Sequence, residues 1–202
     1  MQWTISNQLT IARVLLIPLF MVVFYLPGDL GYFAATLVFF IASVTDWFDG
    51  YLARSRGEVT AFGRFLDPVA DKLLVAAALV LLVEADRAPA LLAVIIIGRE
   101  IAISALREWL AEQARTVHVS MMGKFKTGAQ MLAIGALLLH VDLLGLSMHT
   151  LGIALLWIAA VLTLWSAYEY LRDAWPELMP KKERAAKAEA KFEKADPTDG
   201  DE

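Results

Sequence analysis

Thr45-Asp46-Trp47-Phe48-Asp49-Gly50-Tyr51-Leu52-Ala53-Arg54, followed shortly by Gly63-Arg64-Phe65-Leu66-Asp67-Pro68-Val69-Ala70-Asp71, sets four carboxylates into sequence that otherwise reads as membrane-spanning. An Asp at the centre of a membrane helix costs roughly 2.5–3.5 kcal/mol on insertion scales. Four of them would cost on the order of ten kcal/mol if nothing offset the charge. A chain that keeps all four calls for a bound cation, a water-filled cavity, or both.

Outward from this stretch the sequence is strongly apolar: 58% of its residues are hydrophobic and its mean hydropathy is +0.57. That lies outside the range of ordinary soluble domains. Apolar runs fall near Leu9–Leu26, Tyr32–Ala53, Phe65–Val83, Pro89–Leu106, Phe125–Val141 and Leu151–Tyr170. Several reach the roughly 20 residues needed to cross a bilayer. The alternation of membrane strands is absent. The expected fold is therefore all-α, a polytopic membrane protein of about six transmembrane helices. Residues 1–175 form one six-helix transmembrane domain in this reading, and 176–202 a charged, partly disordered cytoplasmic tail.

Cysteine is absent, which excludes disulfides and thiolate metal sites. His118, His140 and His149 show no ligand-like clustering along the chain. No cationic segment precedes the first apolar run and no A-x-A site follows it, so that run reads as a retained span. Arg54, Arg56 and Arg64 lie between spans 2 and 3; Arg107, Arg115, Lys124 and Lys126 lie between spans 4 and 5; seven more basic residues lie between Arg172 and Lys194. The other connections carry only Arg87. By the positive-inside rule both termini and the carboxylates face the cytoplasm. No nucleic-acid partner is expected.

On a helix, Asp46, Asp49, Gly50 and Ala53 share one face, and so do Gly63, Asp67 and Asp71. Each stripe sets two carboxylates beside residues with almost no side chain, which lets a helix or ligand approach the backbone. The stripes can face each other across a hairpin whose loop is Ser55–Phe62. Clustered carboxylates repel unless a cation is present. All-oxygen ligation favours a hard ion, Mg²⁺, Mn²⁺ or Ca²⁺, and the first two commonly share their shell with substrate phosphates. Pro68, read as a first-turn residue, marks a helix starting close to Phe65.

The spacing Asp46-x2-Asp49-Gly50-x2-Ala53-Arg54-x8-Gly63-x3-Asp67-x3-Asp71 resembles, at every fixed position, the signature of the CDP-alcohol phosphatidyltransferases. The resemblance implies that Asp46, Asp49, Asp67 and Asp71 bind Mg²⁺ or Mn²⁺, which holds the pyrophosphate of a CDP-linked lipid. It also implies that Asp71 is the base that activates an acceptor hydroxyl, with release of CMP. Gly50, Ala53, Arg54 and Gly63 would then lie against CDP, and so would Asn7, Thr10 and Thr60, which match nucleotide-contacting positions in related enzymes. The chemistry suits the residues. A pyrophosphate needs charge neutralisation, a neutral hydroxyl needs a base within reach, and a diacyl substrate needs a site open to the membrane.

Further motifs are similar to the bacterial branch of the family that makes phosphatidylglycerophosphate. They are Asn7-Gln8-Leu9-Thr10-x2-Arg13, Gly98-Arg99-Glu100-Ile101, Ala105-Leu106-Arg107-Glu108 and Gly123-Lys124-x-Lys126-Thr127. They imply CDP-diacylglycerol and glycerol 3-phosphate as substrates, a place in phospholipid biosynthesis, the bacterial inner membrane as location and a homodimer among membrane lipids. A dianionic acceptor needs a cationic pocket, for which Arg13, Arg99, Lys124 and Lys126 are the candidates. Each has a second reading. Arg99 can pair with Glu100 or another buried acid, Lys124 and Lys126 can be plain positive-inside residues, and Arg13 can snorkel to headgroups. The alternatives in function are another acceptor (phosphatidylglycerol, inositol phosphate or serine), a membrane prenyltransferase, or a divalent-cation transporter. The prenyltransferase's two separated Asp-rich motifs and the transporter's repeated halves are not seen here.

Overall fold

The computed structural model describes residues 5–56, 61–112, 122–143 and 145–178. They form helices α1 (Ile5–Phe24), α2 (Asp29–Arg56), α3 (Ala61–Glu84), α4 (Ala90–Glu112), α5 (Met122–Leu139) and α6 (Met148–Leu178). A two-residue antiparallel ladder, β1 (Asp142–Leu143) with β2 (Leu146–Ser147), closes the turn between α5 and α6. The class is all-α, as the apolar runs imply.

The helices close into a ring whose order is not the order of the chain. α1 touches α2, α2 touches α5, α5 touches α6, α6 touches α4, α4 touches α3, and α3 returns to α1. All six contribute to one apolar core, represented by Phe20, Phe39, Leu74, Leu79, Leu92, Ile96, Ile134, Leu137 and Leu156. A smaller cluster of Ile103, Leu110, Ala167, Tyr170 and Ala174 joins α4 to α6. Outside the ring the surface is also apolar: Leu15, Leu37, Phe40, Val80, Val94, Leu132, Val161 and Trp165 all point away from the core. In water such a surface would be unstable; in a bilayer it is the face that lipid covers.

By length and composition Met148–Trp175 is long and apolar enough to cross a membrane alone. Gln8–Phe24, Asp29–Thr45 and Phe125–Leu139 are shorter apolar stretches. In α3 and α4 charged residues interrupt the apolar run: Asp67, Asp71 and Lys72 in the first, Arg99, Glu100 and Arg107 in the second.

Two expectations need correction. α3 begins at Ala61, not near Phe65, so Pro68 lies well inside the helix and the α2–α3 connection is shorter than Ser55–Phe62. A proline there lacks the N–H that would bond the carbonyl of residue 64. Its ring is exposed, and the helix continues through it to Glu84. α6 runs on to Leu178, past the expected boundary at residue 175, and the remainder of the tail lies outside the described residues.

At the end of the bundle opposite the carboxylates, three turns meet. Tyr25 donates a hydrogen bond to Glu84 at 2.7 Å, tying the end of α1 to the end of α3. The rings of His140 and His149 are 5.8 Å apart, and His140 lies 5.7 Å from the Tyr32 ring. The fold thus brings together two histidines that look unrelated in sequence; His118 lies outside the described residues.

Candidate active site

α1 packs against both α2 and α3, and this carries its polar residues to the carboxylate end. Thr10 is fully buried, and its Oγ1 donates to Asp67 Oδ1 at 2.5 Å across 57 residues of sequence. Its first observed partner is therefore a carboxylate. Arg13, one turn further along α1, is also fully buried. Burial of the whole side chain excludes the snorkelling reading, in which the guanidinium would sit in the headgroup layer. Asn7 lies in the first turn of α1, and its side chain is outside the described residues.

Asp67 and Asp71 stand one turn apart on α3, both half-buried, with Gly63 buried one turn earlier on the same face. The spacing inferred from sequence is therefore realised on this helix. Asp46, Asp49, Gly50, Ala53 and Arg54 occupy the last turns of α2, but their side chains lie outside the described residues. Thr60 lies outside them altogether. Among the described residues no group of three potential ligands is assembled. Asp67 and Asp71 are oxygen donors of the kind a hard divalent ion takes, and the bond from Thr10 fixes the orientation of one of them.

The basic candidates converge from two other helices. Glu100 Oε2 accepts from Arg99 Nη1 and from Lys126 Nζ, each at 2.7 Å, bridging α4 to α5. Arg99 Nη2 also donates to Ser166 Oγ at 3.0 Å, which ties in α6. The side chains of Arg99 and Lys126 are 11% and 6% exposed, whereas Glu100 is 32% exposed. Two nearly buried cations thus share one carboxylate that still meets solvent, leaving one net positive charge on the trio. The ion-pair reading of Arg99 is the one observed. The bond from Lys126 to Glu100 rules out a merely positive-inside role for that lysine. Lys124 lies in the first turn of α5, and its side chain is outside the described residues.

A cavity of about 140 Å³ lies between α3, α4 and α5 and joins the two groups. Asp71, Glu100, Lys126, Thr127 and Gln130 supply its polar lining, while Val75, Ile96, Ile97 and Met131 supply its apolar walls. Leu73 and Ile101, both exposed on the outer surface, also line it, so it lies close to the bundle exterior. Gln130 is 5% exposed, and its Oε1 accepts no hydrogen bond, which leaves a buried acceptor turned toward this space. Two carboxylates, a held ammonium and an amide oxygen without a donor in one small cavity suit a short, polar guest that carries hydroxyl groups.

Residues 3–165 match the family model described as CDP-alcohol phosphatidyltransferase. The chain belongs to that family. It is 52% identical over 183 residues, 89% of this chain and 97% of the relative, to a protein of Haemophilus influenzae named CDP-diacylglycerol–glycerol-3-phosphate 3-phosphatidyltransferase. Proteins of the same name from Escherichia coli and Shigella flexneri are 51% identical over 183 residues, covering 89% of this chain and 99% of each relative. Family membership places the chain among membrane-bound bacterial transferases that depend on a divalent metal, and the oxygen donors of α3 fit such an ion.

Sequence reading missed Glu100 as the residue that joins Arg99 to Lys126, and missed Ser166 and Gln130 entirely. For Glu100 a signal was present. An acid beside an Arg in an apolar helix, with a basic segment opening the next helix, suggests one shared buried pair. Ser166 and Gln130 carry no such signal.

Proposed function

We propose that this chain transfers the phosphatidyl group of CDP-diacylglycerol to sn-glycerol 3-phosphate, giving phosphatidylglycerophosphate and CMP: the reaction of a phosphatidylglycerophosphate synthase. The observation that supports the reading is a cavity lined by Asp71, Glu100 and Lys126, in which a carboxylate that can act as base shares one wall with an ammonium that can meet a phosphate. The names and high identity of the relatives support the same acceptor.

Asp46, Asp49, Asp67 and Asp71 would hold the divalent metal, Mg²⁺ or Mn²⁺, and Thr10 would orient Asp67. When bound, the metal neutralises the pyrophosphate and stabilises the charge that develops on departing CMP. Gly50, Ala53 and Gly63 leave room for the nucleotide to approach the helix backbones, with Asn7, Thr10, Arg54 and Thr60 around it. Arg99 and Lys126, with Lys124 and Arg13, meet the acceptor phosphate. Asp71 takes the proton of the acceptor hydroxyl. The freed oxygen forms the new bond to the β-phosphorus as the bond from that phosphorus to the bridging oxygen breaks and CMP leaves.

The basic residues orient both termini and the carboxylate end toward the cytoplasm, in the bacterial inner membrane. Residues 176–202 form a charged cytoplasmic appendage to the catalytic domain. A homodimer is the assembly the family resemblance implies. The test is release of CMP from CDP-diacylglycerol by purified protein, with and without glycerol 3-phosphate and with EDTA followed by Mg²⁺ or Mn²⁺. Turnover that needs both acceptor and metal is expected. Turnover with inositol phosphate or serine in place of glycerol 3-phosphate would reassign the acceptor, and full activity after exhaustive chelation would remove the metal from the reading.

A further inference from the structure

Arg87 is the cation that the positive-inside pattern leaves unexplained, and nothing in the transfer reaction uses it. It follows the α3 helix, after Asp86 in a left-handed conformation (φ 56°), and precedes the start of α4. Its guanidinium lies 4.2 Å from the Tyr32 ring centroid and 5.8 Å from that of Phe24. Stacking on two aromatic faces holds the group rigidly and uses the ring faces rather than its N–H donors. Its Nη1 is buried and reaches no hydrogen-bond acceptor.

A second buried nitrogen is left without a partner nearby. Nδ1 of His149, in the first turn of α6, is also buried without a partner. Arg87 and His149 line one open bowl of about 390 Å³, together with Val83, Ala88, Pro89 and Ile153. Asp86 also lines it and is exposed, yet no ion pair joins its carboxylate to Arg87 among the described residues. A buried guanidinium nitrogen without an acceptor costs free energy that a bound anion would recover. Ala90, where α4 begins, lines the bowl too, so the amide end of that helix adds to the positive field without itself forming the site.

We infer that Arg87 and His149 form a phosphate-binding site on the end of the bundle opposite the carboxylates, and that its occupant is the phosphodiester headgroup of a membrane phospholipid. Ala90 of α4 lines the bowl, and Leu91 and Val94 further along the same helix are exposed, so a headgroup held there can lay its acyl chains along lipid-facing helix. A planar, pre-stacked guanidinium matches phosphate oxygens in the plane its donors occupy. Placement in the outer leaflet rests on the orientation given above. Binding itself does not.

The experiment uses full-length protein stripped of lipid in detergent. Phosphatidylglycerol, phosphatidylethanolamine, diacylglycerol or inorganic phosphate is added separately, and retained ligand is measured by native mass spectrometry beside thermal unfolding. Both phospholipids are expected to bind and raise the Tm, while diacylglycerol, lacking the phosphate, is not retained. Arg87→Gln should weaken phospholipid binding about tenfold or more, the loss typical of a charge-assisted hydrogen bond. The difference between wild type and Arg87→Gln isolates this bowl from the substrate site. His149→Gln tests the site at its second nitrogen and keeps both rings that Arg87 stacks on, Tyr32 and Phe24. Unchanged transferase turnover in both variants reports an intact fold, and absent turnover in wild type would count against the proposed reaction alone. Equal phospholipid retention by wild type and both variants would overturn the site. Binding of inorganic phosphate at Arg87 with no uptake of either phospholipid would overturn the lipid as its occupant.

Discussion

Thr10→Val removes one hydroxyl and keeps the volume of a fully buried side chain, so its effect falls on the bond to Asp67. At 2.5 Å to a carboxylate this is a charge-assisted hydrogen bond, a class worth about 1.5–3 kcal/mol. No water can replace it from the Thr10 side, because that side chain has no exposed surface. Asp67 is only half-buried, so its carboxylate can be resolvated on its open side, and the lower part of the range applies. About 1.5 kcal/mol corresponds to roughly tenfold in affinity, the low end of the 10–100-fold seen when partners of metal ligands are removed. The assay is CMP release against Mg²⁺ concentration with both substrates saturating. The half-saturating Mg²⁺ should rise about tenfold, kcat at excess Mg²⁺ should stay near wild type, and Thr10→Ser should restore the original curve. An unchanged Mg²⁺ curve would refute this reasoning. A raised KM for CDP-diacylglycerol with normal metal dependence would return Thr10 to the nucleotide alone.

Other perturbations separate the remaining roles. Lys126→Met should raise the KM for glycerol 3-phosphate about tenfold or more with a smaller change in kcat, since binding common to ground and transition states is lost; a selective rise in the KM for CDP-diacylglycerol would move Lys126 to the donor site. Glu100→Ala strips two nearly buried cations of their shared carboxylate. Because Glu100 is itself about a third exposed, the stability loss should be about 1–3 kcal/mol, below the 3–5 of a fully buried pair. Thermal unfolding in detergent would read it, Glu100→Gln should recover part, and an unaltered Tm in Glu100→Ala would show that the bridge contributes nothing. Asp71→Asn should lower kcat about 10²–10⁴-fold while CDP-diacylglycerol binding in excess Mg²⁺ falls much less; parallel losses would make Asp71 chiefly a metal ligand. Ala53→Leu should weaken CDP-diacylglycerol binding without impairing membrane insertion, and an unchanged KM and kcat would remove Ala53 from the nucleotide surface.

The helices were legible because apolar runs and polar breaks act locally. All six fall where the sequence places them, with ends shifted by a few residues as at Ala61 and Leu178. The faces of helices were legible too, so Gly63, Asp67 and Asp71 do line up on α3. What periodicity cannot supply is the neighbour across the gap. Thr10 meets Asp67, and Lys126 meets Glu100, only because α1 packs on α3 and α5 lies near α4 in a ring that departs from chain order. The same limit hid the burial of Arg13 and the approach of His140 to His149. Pro68 misled for a different reason: proline is common at helix starts, yet an exposed ring can be accommodated inside a long helix.

The order of helices round the ring bears on how the molecule is made. α1, α2 and α3 leave the ribosome first and already carry Asp46, Asp49, Asp67, Asp71 and Thr10, so the bond from Thr10 to Asp67 needs nothing that is synthesised later. The cluster around Glu100 waits. Glu100 gains Lys126 only when α5 is in place, and Arg99 gains Ser166 only when α6 has slotted between α5 and α4 to close the circle. Until α5 and α6 are inserted, the carboxylate and the guanidinium of α4 stand in the membrane without their full set of partners. Arrest of synthesis before α6 would therefore leave a chain in which Thr10 can meet Asp67 while Arg99 lacks Ser166, the kind of exposed intermediate that quality-control proteases remove.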